Sequence, residues 1–129
     1  MSDCDKKRQR LLSLHEAVIE NNIDLVKTLL LSHSANEKDE KNGMTVLHVS
    51  AREGHVDISE LLIQNGANVN AEDVEKVTPL HWSAMNGHVD LAKLLIRNGA
   101  NVNAETKTKK ITPLHASARN GNIELAKLL

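Results

Sequence analysis

The strongest constraint on this chain is that it repeats itself. Thr45-Val46-Leu47-His48-Val49-Ser50-Ala51, Thr78-Pro79-Leu80-His81-Trp82-Ser83-Ala84 and Thr112-Pro113-Leu114-His115-Ala116-Ser117-Ala118 recur at steps of 33 and then 34 residues. Each leads into Gly54-His55-Val56-Asp57, Gly87-His88-Val89-Asp90 or Gly121-Asn122-Ile123-Glu124, and then into a leucine-rich run. Two units close on Asn65-Gly66-Ala67-Asn68-Val69-Asn70-Ala71 and Asn98-Gly99-Ala100-Asn101-Val102-Asn103-Ala104. A weaker copy comes first, with His15 standing 33 residues before His48. A fixed period of this size marks an array of small supersecondary units, each unable to bury its own apolar face.

The chemistry of one unit follows from its residues. Thr78 suits a helix N-cap and Pro79 the first helical position, where a missing N–H costs nothing. Leu80 and Ala84 fall on one face, and Gly87 offers the left-handed conformation that ends a short helix. A second helix is expected from about Val89 to Arg97, burying Leu91, Leu94 and Leu95 and leaving Asp90, Lys93 and Arg97 in water. Residues 100–104 then read as an extended arm entering a hairpin-like loop. Both helices are shorter than the ~12–15 residues at which an isolated helix becomes marginally stable. Order must come from neighbouring units.

Composition agrees with thin layers. The 129 residues contain no Phe, no Tyr and one Trp, so Leu, Ile, Val and Ala must fill the core. At 40% apolar and 26% charged residues the chain should fold, and its size allows a single domain. The formal net charge of −1 gives no overall field toward nucleic acid or an anionic membrane. No apolar run reaches the ~20 residues that span a bilayer, and residues 1–10 lack the apolar stretch of a signal peptide. The single Cys4 excludes an internal disulfide framework and fits a reducing compartment. The expected setting is the cytoplasm, or the nucleus.

The recurring Thr-Pro-Leu-His, small-residue pair, Gly-His, leucine run and Gly-Ala-Asn-Val-Asn-Ala resemble the motif of the ankyrin repeat family, most closely over residues 78–104. The resemblance covers about residues 11–129. It implies an all-α solenoid of stacked antiparallel helix pairs linked by β-hairpin-like loops, with hairpin tips and inner helices forming a concave face that binds protein. It also implies that His48, His81 and His115 hydrogen-bond within or between repeats. Val46 departs from the motif's proline, Ser50, Ser83 and Ser117 from its first alanine, and Lys76 and Lys110 from a loop glycine; Thr106 to Lys110 holds one extra residue.

The boundaries expected are a polar N-terminal tail over 1–10, a first repeat and N-terminal cap over 11–43, repeats over 44–76 and 77–110, and a truncated fourth repeat over 111–129. The last lacks a capping unit, so residues from Ile123 onward are expected to fray.

Candidate chemistry is sparse. His48, His81 and His115 lie one repeat apart, roughly a helix-packing distance of 8–10 Å, whereas zinc needs ligands ~2.0–2.1 Å from one ion. His55 and His88 read as turn residues. Ser50, Ser83 and Ser117 suit back-bonding to a carbonyl rather than nucleophilic attack. No phosphate loop or nucleophile elbow is present, so neither an enzyme nor a cofactor is expected. Lys6-Lys7-Arg8-Gln9-Arg10 reads as a solvated tail, with nuclear import the alternative. Lys107, Lys109 and Lys110 form a basic tip too small for nucleic acid.

What varies between units is more informative. Trp82 stands where its siblings are Val49 and Ala116 and is weighed equally as an interface residue and as packing. Met44, Val77 and Ile111 recur ahead of each first helix as an apolar file, read as an exposed binding stripe. With Arg52, Glu53, Met85, Asn86, Arg119 and Asn120 they make up the candidate partner surface, spread over residues 40–53, 73–86 and 107–120. The expected function is a monomeric scaffold or adaptor module that binds another protein. The alternative is a regulatory or targeting segment of a larger enzyme, channel or toxin. Asn70 and Asn103 read as turn residues, and also resemble hairpin asparagines hydroxylated in some family members.

Overall fold

A computed structural model describes residues 13–129. The tail, Cys4 and the basic cluster at 6–10 lie outside the described residues. Among the described residues eight helices follow in order: α1 Leu14–Ile19, α2 Ile23–Leu29, α3 Val46–Glu53, α4 Val56–Gln64, α5 Pro79–Met85, α6 Val89–Arg97, α7 Pro113–Arg119 and α8 Ile123–Leu128. None is long and apolar enough to cross a membrane. The fold is all-helical, as the repeat pattern requires.

The helices form two columns. First helices stack as α1, α3, α5 and α7, second helices as α4, α6 and α8, and each first helix packs on the second helix of its own unit. Helix α2 packs on α1 without the close packing on the next second helix that α4 and α6 show. One framework leucine of each of the first helices α1, α3 and α5 is fully buried: Leu14, Leu47 and Leu80. Ile58 and Leu62, Leu91 and Leu95, and Leu125 do the same for the second helices. Ala17, Ala51 and Ala84, with no exposed surface, keep the first helices slim enough to meet. Leu94 is only half-buried and Ala92 takes the buried place instead. At the last unit Leu114 is 44% and Ile123 71% exposed.

The connecting arms are turns rather than strands. Among the described residues the single β-bridge joins Lys38 to Thr45. Asn68-Val69-Asn70 folds back on itself, with Asn68 Oδ1 accepting from Asn70 N at 2.9 Å. Hairpin-like loops are therefore present without a paired ladder. Their necks are tied by one side chain each. Asp39 Oδ1 accepts from the N–H groups of Asn42 at 2.6 Å and Gly43 at 3.0 Å. Asp73 Oδ1 does so from Glu75 at 2.8 Å and Val77 at 3.0 Å. Thr106 Oγ1 takes over in the longest tip, accepting from Ile111 N at 3.0 Å.

Candidate functional site

The residues expected to carry function sit on a frame of buried polar bonds. The first helices α3, α5 and α7 each open with a threonine N-cap whose Oγ1 accepts from the N–H of a histidine three residues on, whereas α1 is capped by Ser13, which accepts from Glu16 N. That histidine reaches back: His48 Nδ1 accepts from Thr45 N at 3.0 Å, His81 from Thr78 at 3.1 Å and His115 from Thr112 at 3.1 Å. With Nδ1 an acceptor, the proton belongs on Nε2, and the network assigns the neutral tautomer. Nε2–H then donates to the unit ahead. His15 meets the Met44 carbonyl at 2.7 Å, His48 that of Val77 at 2.8 Å and His81 that of Ile111 at 2.7 Å. Burial pushes His48 and His81 below the ordinary histidine value, against the opposing pull of those carbonyls and of Asp73.

This contact corrects the apolar-file reading. Met44 is 5% exposed, and Val77 and Ile111 are half-buried. The carbonyls of all three lie in the seam between units, and none of the three side chains is fully exposed, so they do not form an exposed stripe. Ser50, Ser83 and Ser117 donate to the carbonyls of Leu47, Leu80 and Leu114 at 3.1, 2.9 and 2.9 Å, the back-bonding expected of them.

Three further seams went unread in the sequence. Asn36 Nδ2 donates to Gly66 O at 2.9 Å while its Oδ1 accepts from Asn68 N at 2.7 Å, and Asn70 repeats the bridge with Gly99 O at 3.0 Å and Asn101 N at 2.7 Å. Asn86 Nδ2 donates to Arg52 O at 3.1 Å, and Asn120 Nδ2 to Met85 O. His88 N-caps α6 without a side-chain cap bond; its Nε2 instead donates to Arg52 O at 3.1 Å, and its ring lies where a Cβ on Gly54 would be, 2.7 Å away. The recurrence of Asn36 and Asn70, and of Asn86 and Asn120, at 34-residue steps was the available signal.

The remaining candidates gather on the first helices. Arg52, Trp82, Met85 and Arg119 lie on α3, α5, α5 and α7, in neighbouring positions of one column. The Arg52 guanidinium sits 5.9 Å from the centroid of the Trp82 ring, within cation–π range, and its Nε is 3.3 Å from Glu53 Oε1. Trp82 is half-buried against the core while its Nε1 has no hydrogen-bond partner among the described residues. The unpartnered Nε1 is itself buried, so the ring packs on the core while part of the side chain stays open to solvent. A cavity of about 540 Å³ opens beside it on the next unit, lined by Met85, Ile111, Ala116, Asn120, Lys109 and Arg119, with His115 completing the wall. The structure brings Met85, Ile111, Arg119 and Asn120 together there, and Arg52, Glu53 and Trp82 one unit back. Among the described residues no three His, Cys, Asp or Glu side chains converge to hold a metal ion.

A stack of short helix pairs, each tied to the next through its histidine and asparagine side chains, defines a helical-repeat solenoid. The comparisons with known proteins narrow that class. The family described as ankyrin repeats, in three copies, matches residues 14–106, and the single ankyrin repeat matches residues 109–129. The chain belongs to the ankyrin repeat family, whose members serve generally as protein–protein interaction modules. No curated protein matches it.

Proposed function

We propose that this chain is a scaffold or adaptor module that grips a partner polypeptide along its first-helix column and hairpin tips. One observation carries this reading. In the second and third units the residues repeated from unit to unit are consumed by the fold, with Leu47, His48, Ser50, Leu80 and Ser83 at zero exposure and His81 at 2%. The residues that vary, Arg52, Trp82, Met85 and Arg119, remain at least partly open on adjacent helices. A frame satisfied internally and a variable face left to solvent is how one fold carries many specificities. Trp and Arg are also the side chains most often found at the energetic centre of interfaces. The proposed setting is intracellular, which the single Cys4 supports.

The test is affinity capture from the source cell with the wild-type chain beside Trp82→Ala, and beside a variant changing Arg52, Met85 and Arg119 to Ala. Circular dichroism checks that helix content is kept. Binding is expected to fall about thirtyfold in each variant, corresponding to the ~2 kcal/mol of a hot spot. A partner held equally by the wild type and both folded variants would overturn the proposal.

A further inference from the structure

What fills the first-helix face changes along the stack. Between the second and third units the Trp82 indole covers Arg52. One unit on, Met85 stands in the place of Arg52 and Ala116 in the place of Trp82. An aromatic ring covers ~150–250 Å² of surface, which a methyl group cannot replace. The face accordingly sinks into the cavity of about 540 Å³ whose apolar walls are Met85, Ile111 and Ala116.

The charge around this hollow is one-sided. Residues 105–120 hold Lys107, Lys109, Lys110 and Arg119 against Glu105 alone, whereas residues 72–86 hold Glu72, Asp73 and Glu75 against Lys76 alone. Lys109 and Arg119 line the cavity, both are exposed, and no carboxylate among the described residues lines it with them. No ion pair among the described residues engages Lys107, Lys109, Lys110 or Arg119, whereas Arg52 is held by Glu53. The Glu75 carboxylate of the unit before reaches this tip only at the Thr108 hydroxyl, 3.4 Å away. Cations held in no ion pair beside an apolar hollow are complementary to an anionic ligand that carries an apolar group.

We infer that this hollow receives one bulky side chain, an aromatic, from an acidic peptide segment of the partner protein, whose flanking carboxylates reach Lys109 and Arg119. The inserted ring takes the place that the indole of Trp82 occupies one unit earlier. This inference rests on the protein-binding reading above and assigns the chemistry of the bound segment.

The probe is a fluorescein-labelled synthetic 12-residue peptide of Glu, Ser and Gly with one central Trp, titrated by fluorescence anisotropy at 50 and 300 mM NaCl. Saturable binding is expected that weakens several-fold in the higher salt as surface charges are screened. Replacing the peptide's Trp by Ala, or its Glu residues by Lys, should lose tenfold or more. On the protein, Ala116→Trp fills the hollow and should lose binding by a similar factor. Lys109→Glu with Arg119→Glu, two exposed positions, should do the same and keeps the test open if Ala116→Trp does not fold.

Failure of the acidic peptide to bind the wild type would overturn the inference. So would binding unchanged by both protein variants, or equal binding of the Lys-bearing peptide or of a 12-nucleotide single-stranded DNA. A captured partner lost with Trp82→Ala but indifferent to Ala116→Trp and to the charge reversals would sink the acidic-segment inference alone and leave the interaction module standing. A chain that captures no protein at all sinks the module as well.

Discussion

At Lys76 and Lys110 the backbone takes φ of +59° and +54°, the region Gly43 occupies at +69° in the same place of the unit before. An L-residue there sets its Cβ against its own carbonyl, at a cost of roughly 1–2 kcal/mol. Glycine escapes that cost but gives up more chain entropy on folding. The balance favours Lys76→Gly and Lys110→Gly by about 1 kcal/mol each. The expected result is a higher denaturant midpoint with an unchanged slope of unfolding free energy against denaturant. A midpoint that stays or falls in both variants would show that the lysine side chains stabilise these tips through contacts of their own. Asn21, at φ +57°, holds the same region in the first unit, where Gly54 and Gly87 serve later ones. Asparagine tolerates it better than lysine, so no comparable gain is expected at Asn21.

Each first helix is short enough that its start decides whether it forms. A threonine N-cap contributes roughly 0.5–2 kcal/mol in general, and here the hydroxyl also meets the imidazole, with Thr78 Oγ1 2.8 Å from His81 Nδ1. Thr78→Ala should therefore cost about 1–2 kcal/mol, whereas Thr78→Ser keeps the oxygen and should stay within a few tenths of wild type. Equal loss in both, read by denaturant unfolding, would mean that the threonine methyl and not its oxygen holds the helix end. The sequence showed this element well: Thr78, Pro79 and Gly87 bracket a helix that runs Pro79–Met85. Histidine as the returning partner of the cap was not legible, because the usual signature at that position is Glu or Gln. Bonding by His48 and His81 between units was expected from the family resemblance, but the asparagine seams were legible only as recurrence. A repeat states that Asn36 and Asn70 are equivalent, but not that each bridges to the unit ahead. Met44, Val77 and Ile111 misled for the same reason, since an apolar residue recurring in a loop looks alike whether it faces solvent or the next unit. The hollow beside Met85 was visible in its parts, as the change from Trp82 to Ala116, but its volume depends on how closely two helices stack, which no spacing in the sequence reports.

The histidine seams bond each unit to the one ahead, and those of His48 and His81 make the stability of the stack depend on pH. In the folded chain His48 and His81 are neutral and held below the ordinary value of 6.5, with burial the largest cause; Lys38 adds to it at His48, while Asp73 and the carbonyls of Val77, Ala71, Ile111 and Ala104 oppose it. Protonation would also turn each Nδ1 from an acceptor into a donor facing the Thr45 or Thr78 N–H. The unfolded chain, titrating near 6.5, binds more protons than the folded one once pH drops below that value. The stabilisation is thus complete above about pH 6.5, shrinks as pH falls, and stops changing below the folded-state values. While only the unfolded form of a histidine is protonated, the slope approaches ~1.4 kcal/mol per pH unit for that residue. Glutamine at the same place can still return a bond to the cap N–H but does not titrate in this range. His48→Gln with His81→Gln should therefore leave a folded chain whose denaturant midpoint varies much less between pH 7.5 and 5 than the wild type's. A double variant that remains folded and keeps the wild-type slope would place the pH response elsewhere and separate it from the bonds that join one unit to the next.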